Sequence, residues 1–209
     1  MLAAAAAVLV AAACGGGDSG SEPEVASTPA TGTPIKIGNV GLYSGSFGAQ
    51  YQRGADGLVA WSKWVNEHGG INGHPVEVIV RDDQGDPTKS ITAVRELVER
   101  DKVVAIVGPI AGATDAAWRS YVEEHRIPVI GGLTTTLQYG SSPMYFPASS
   151  DSVGFLTSQL NAVKLTGKKK FGVIVCAEQA SCQEGIPLFE RLATEVGVEL
   201  VGAQTAAAS

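Results

Sequence analysis

Four short segments hold most of the residues that could do chemistry. Residues 42–50 read LYSGSFGAQ, residues 82–85 read DDQG, residues 109–114 read PIAGAT, and residues 131–138 read GGLTTTLQ. Glycine lets a ligand approach the backbone, and Ser, Thr and Tyr hydroxyls donate hydrogen bonds. A Gly/Ser-rich turn that opens a helix also leaves backbone N–H groups free for an anion. Thr134, Thr135 and Thr136 follow Gly131-Gly132, a setting that suits a carboxylate and also suits plain loop hydrogen bonding.

The same residues exclude several enzyme classes. Gly38, Gly41 and Gly45 do not have G-x-G-x-x-G spacing, and Asp82 lies about twice as far downstream as a ribose-binding acid should. A dinucleotide-dependent enzyme is therefore a distant alternative. Ser44 lies between Tyr43 and Gly45, with no G-x-S-x-G context for an acyl-transfer nucleophile. His68, His74 and His125 sit at expected helix ends or turns, where they read as surface or capping residues. Net charge is −6, and the one basic run, Lys168-Lys169-Lys170, precedes an apolar segment. It reads as a solvated strand entry, so no nucleic-acid partner is expected.

These loops need a scaffold, and apolar periodicity supplies it. Strands are expected at residues 35–41, 76–80, 103–107, 127–130, 171–175 and 198–201. Helices are expected over 51–68, from Asp86-Pro87 to about 100, before His125, from an Asp151 cap to about 165, and over 184–196. Strands alternating with helices imply an α/β fold, a doubly wound parallel sheet. In such sheets ligands bind at the carboxyl ends of strands, and that rule selects the four segments above.

The N-terminus reads as a targeting segment. Residues 1–13 are almost all Ala, Val and Leu, too short to span a bilayer, and Cys14 follows. This resembles a bacterial lipoprotein signal, with Cys14 as the lipid-bearing residue; an ordinary cleaved signal peptide is the alternative. Ala11 stands where Leu is more usual, and no Lys or Arg precedes the run. Residues 15–34 are Gly, Ser, Thr, Pro and Glu with little apolar bulk, and read as a flexible tether. Cys176 and Cys182 flank a short loop; in an exported chain a disulfide is the expected pairing. A metal site there would have only Glu178 and Glu184 as further ligands, so neither a metal nor a cofactor is expected.

The order of "GLYSGSFGAQY", "GADGLVAWSKWVNEHGGINGHPVEVIVRDDQGDP" and "IPVIGG" resembles one family, the periplasmic-type substrate-binding proteins of branched-chain amino acid ABC transporters. The resemblance covers about residues 35–201. It implies a type I binding-protein fold: lobe one over 35–147 and an incomplete lobe two over 148–209. The family's chains are nearly twice as long, which implies C-terminal truncation. The resemblance further implies an amino-acid-like ligand, an ABC permease partner, no catalysis, and a location at the outer face of the cytoplasmic membrane. A sensor for amides or urea-like solutes on the same fold is the alternative. Carried over residue by residue, Leu133 and Thr134 contribute backbone, and Thr135 contributes backbone and hydroxyl. Gly112 or Ala113 stands where the family has a Ser, so the contact there falls to Thr114 or to backbone alone. Tyr51 stands for the family's aromatic, and Asp151 is a ligand contact or a plain helix cap.

Overall fold

A computed structural model describes residues 28–45, 48–134, 136–177 and 180–207. Cys14 and Thr135 lie outside the described residues.

Strand β1 (Ile35–Gly41) is the second strand of a five-stranded parallel sheet. β2 (Val76–Asp82) pairs with it along its whole length on one side. On the other side follow β3 (Ile106–Val107), β4 (Val129–Ile130) and β5 (Tyr145–Phe146), giving the order β2-β1-β3-β4-β5. The last five residues of β1 are all buried. Successive side chains point to opposite faces, so this strand is covered on both.

Helix α1 (Gly48–Glu67) buries Gly48, Ala55 and Ser62, residues seven apart that form one narrow stripe. It lies close enough that a Cβ on Gly54 would be 2.4 Å from Ile110 Cδ1. Asn66 near its end clamps the start of β2, accepting from the Val76 N–H (2.6 Å) and donating to the Val76 carbonyl (2.9 Å).

Helix α2 (Pro87–Arg95) starts as its sequence dictates. Pro87 opens the first turn, and Asp86 accepts from the Thr88 and Lys89 amides at 2.7 and 3.0 Å. A wider π-helical turn continues it through Glu96–Arg100. A 3-10 helix (Gly112–Trp118) precedes α3 (Arg119–His125).

Val40, Val94, Leu97, Ile106, Trp118, Val122 and Val129 are fully buried in one apolar cluster. The Trp118 indole donates to Ser90 Oγ at 3.0 Å and stacks on Tyr145 with centroids 5.5 Å apart.

The remainder forms a second cluster around Leu156, Leu160, Leu188, Phe189, Leu192, Ala193 and Val198. It joins α4 (Ser152–Leu165) and α5 (Ala180–Val196) to a parallel pair, β6 (Lys170–Cys176) and β7 (Glu199–Ala206). Cys176 and Cys182 are bonded to each other, their Cα atoms 5.6 Å apart.

The α/β architecture with a parallel sheet matches the sequence expectation, with local differences. The expected strand 103–107 contracts to Ile106–Val107: Val103 instead donates to the Leu97 carbonyl in the preceding π-helical turn, while Val104 still bonds β1 through the Lys36 carbonyl. β5 was not expected from sequence. α5 begins four residues earlier than expected, at Ala180, and β7 runs on to Ala206 along β6. The end of the expected tether is docked: Ala30 donates to Asn66 O and Gly32 to Gly73 O, and His74 Nδ1 lies 2.9 Å from Thr33 O. Among the described residues no helix is long and apolar enough to cross a membrane.

Candidate functional site

The sheet is parallel, so the loops after β1, β2, β3 and β4 emerge at one edge. Short bonds fasten them to each other. The loop after β1 meets the loop after β3 through Leu42 N–H to Ile110 O (3.1 Å) and Ile110 N–H to Val40 O (3.0 Å). It meets the end of β2 where Asp82 Oδ1 accepts from the Tyr43 amide at 2.9 Å. Burial alone would raise the Asp82 carboxyl. The Tyr43 amide, the Ser44 hydroxyl, the Gln84 amide and nearby Lys89 outweigh it and hold the group below its ordinary value.

Buried polar side chains support this edge from beneath. Asn39 in β1 is fully buried and donates to Val107 O and Gly108 O at 3.0 and 2.8 Å; the Tyr43 hydroxyl donates to its Oδ1 at 2.5 Å. Burial pushes the Tyr43 phenol far above its ordinary value, although the Asn39 bond opposes this. Tyr43 therefore acts as a neutral donor.

Asp83 is also fully buried. It accepts from the Gly85 amide (2.8 Å) and from Thr114 Oγ1 (2.6 Å). The next residue after Thr114 makes the opposite kind of contact: Asp115 Oδ2 accepts from Thr136 Oγ1 at 2.5 Å. Asp83 and Asp115 together tie the loop after β3 to the loops after β2 and β4.

The loop after β4 turns on two left-handed glycines, Gly131 (φ 65°) and Gly132 (φ 89°). The Leu133 amide donates to Pro109 O at 2.9 Å, and the Tyr139 hydroxyl to Gly131 O at 2.5 Å. Thr134 Oγ1 bonds Ser149 Oγ (2.6 Å) and Ser150 O (2.8 Å). These bonds join the loop to the segment that leads into α4. Asp151 caps that helix, accepting from the Gly154 amide at 2.8 Å; its other oxygen lies over Gly140, where a Cβ would be 3.3 Å away.

The structure thus brings Gly112, Ala113, Thr114, Leu133 and Thr134 to one edge, with Asp151 joined to it through Ser149 and Ser150. Tyr51 lies in the first turns of α1, half-buried. The Thr114 and Thr134 hydroxyls and the Leu133 amide already have protein partners. Asn39 and Asp115 escaped the sequence reading, and Asp83 was reached there only as part of the 82–85 segment, with no role of its own. Of the two that escaped, Asn39 carried a signal, as a polar residue inside an apolar strand. Among the described residues no cluster of three metal-ligating side chains occurs.

A parallel sheet whose loops gather into one hydrogen-bonded edge is the scaffold of a solute-binding α/β lobe. The sequence profile described as periplasmic binding protein matches residues 34–209, and the chain belongs to that family. It is 30% identical to an amino acid binding protein of Pseudomonas aeruginosa over 146 residues, covering 67% of this chain and 38% of that one. It is 33% identical to Leu/Ile/Val-binding protein homolog 1 of Brucella abortus over 89 residues, covering 42% of this chain and 23% of that one. Among solved structures, a substrate-binding periplasmic protein from Ralstonia solanacearum superposes with a TM-score of 0.73 at 23% identity, covering 85% of this chain and 50% of that one. An ABC transporter substrate-binding protein from Sphaerobacter thermophilus gives 0.65 at 27% identity, covering 84% and 48%. The chain spans about half the length of these solved relatives.

Proposed function

We propose that this chain provides the first-lobe side of an extracytoplasmic solute site. The site captures an amino-acid-like ligand and delivers it to an ABC transporter permease. The reading rests on the convergence of the loops after β1 to β4 at one edge of the sheet, in a chain matched from residue 34 onward. The ligand carboxylate is held by Thr135, through amide and hydroxyl, and by the Thr134 and Gly112–Ala113 backbone. The Leu133 amide is committed to Pro109, which leaves its carbonyl. Asp151 and Tyr51 border the ligand from the lobe crossing and from α1. The amide alternative uses the same donors. A second reading, an aromatic acid, is favoured by a neighbour from Rhodopseudomonas palustris solved with 4-hydroxybenzoate.

Calorimetric titration of the protein with leucine, isoleucine, valine, acetamide and 4-hydroxybenzoate tests the reading. One of these should bind saturably. A hydrogen bond to a charged group contributes roughly 1.5–3 kcal/mol, so Thr135→Ala should weaken binding about ten- to a hundred-fold. Unchanged affinity in that variant refutes the assignment. With about half of its relatives' span, the 209-residue chain should bind more weakly than about 1 μM. Lipidation at Cys14 anchors the protein to the membrane, so Cys14→Ser should move it to the soluble fraction. Equal retention of both forms refutes the anchor.

A further inference from the structure

We infer that Asp83 is a positioning residue of the solute site, acting through the Thr114 hydroxyl; this rests on the function proposed above. Asp83 is fully buried, so it does not touch a solute at the edge. Burying a carboxylate is costly unless its oxygens are bonded. Here one oxygen takes the Gly85 amide and the other takes Thr114 Oγ1 at 2.6 Å. Thr114 Oγ1 is equally 2.6 Å from Ala111 O. The hydroxyl has one hydrogen, and a charge-assisted bond to the carboxylate is the stronger of the two.

The direction of that bond is what matters. It runs sideways, from the loop after β3 to the loop after β2, across the end of β1, which lies between them. The Thr114 backbone amide bonds only locally among the described residues, to Ala111 O at 3.0 Å. Gly112, at φ 54°, and Ala113 immediately precede Thr114. Fixing Thr114 against Asp83 therefore fixes where their amides point. The Thr114 hydroxyl itself faces inward, to Asp83, and Thr114 is buried.

An amide-resolved NMR titration with L-leucine to millimolar concentration, and with 4-hydroxybenzoate as second probe, tests this. The proteins compared are the parent, Thr114→Ser, Thr114→Val, Asp83→Asn and the Asp83→Asn/Thr114→Val pair, each below its melting temperature. Val198→Ala, in the separate apolar cluster, controls for general loss of stability. Thr114→Ser should stay within about threefold of the parent, and Thr114→Val should bind at least about tenfold more weakly. The double variant should lose no more than about twofold beyond the worse single one, because both changes break one bond. Val198→Ala should bind as the parent does. The inference is overturned if Thr114→Val binds like the parent, if Ser fails as Val does, or if Val198→Ala loses as much affinity. A parent that saturates with neither probe refutes the proposed function itself, and the inference with it. If Asp83→Asn does not fold, the Val and Ser variants alone decide the outcome.

Discussion

Gly131 and Gly132 are adjacent, both left-handed, and differ in the space beside them, so they separate backbone strain from collision. A Cβ on Gly131 would meet Ala148 Cβ at 3.5 Å, an ordinary contact. A Cβ on Gly132 would lie 2.2 Å from Pro109 O, far inside the closest approach of a non-bonded carbon and oxygen. Alanine in a left-handed conformation costs about 1–2 kcal/mol. Gly131→Ala should cost about that much and no more. Gly132→Ala must also push the loop away from Pro109, and that movement breaks the Leu133 amide bond to Pro109 O, worth about 1 kcal/mol. Its total is about 2–3 kcal/mol, or roughly 1 kcal/mol beyond its neighbour. Urea unfolding followed by tryptophan fluorescence measures both, with the slope expected to stay constant. For a chain of this size, 1 kcal/mol corresponds to about 2–4 °C in melting temperature. Equal destabilisation by the two substitutions, or a larger effect at Gly131, would refute the collision.

Ser90→Ala should cost about 1–3 kcal/mol by leaving the buried Trp118 indole N–H without its acceptor, and fluorescence-detected urea unfolding measures it. Asp82 and Asp86 are both held below their ordinary values on folding. Asp82 is lowered against the upward push of burial, and Asp86 by the Lys89 and Thr88 amides. Their contribution should be complete above about pH 4 and lost as pH falls from there through the folded-state values; Asp82→Asn should flatten that acid decline in urea midpoints. Non-reducing peptide mapping should recover Cys176 and Cys182 in one linked fragment, and reduction should cost at most about 2–3 kcal/mol because the loop is short.

What the sequence disclosed was local. Asp86-Pro87 and Asp151 announce their helices because capping involves residues three apart at most. β1 and α1 follow from apolar runs and their spacing. β5 was hidden because Tyr145 and Phe146 are two residues after a turn, and only pairing with Val129 and Ile130 makes them a strand. The stretch after Ala111 gave no sign that its first turns would be a 3-10 helix. The site divided in the same way. Its loops were legible from the strand-end rule, whereas the direction of each hydroxyl was not. Thr114 turns inward because of Asp83, 31 residues earlier, and Thr136 because of Asp115, 21 residues earlier. Asp82 and Asp83 are indistinguishable by type, yet one is exposed and the other fully buried.

The two apolar clusters share no residue, and they are optically unequal. Every tryptophan (Trp61, Trp64, Trp118) and every tyrosine (Tyr43, Tyr51, Tyr121, Tyr139, Tyr145) precedes α4. The second cluster carries only phenylalanine, at Phe171 and Phe189. A fluorimeter therefore watches the five-stranded side melt and is blind to the other. Calorimetry and far-ultraviolet dichroism count both sides. If the clusters open separately, these probes will give non-coincident transitions. A substitution that damages only the α4 to β7 side will then pass unnoticed in an intrinsic-fluorescence screen.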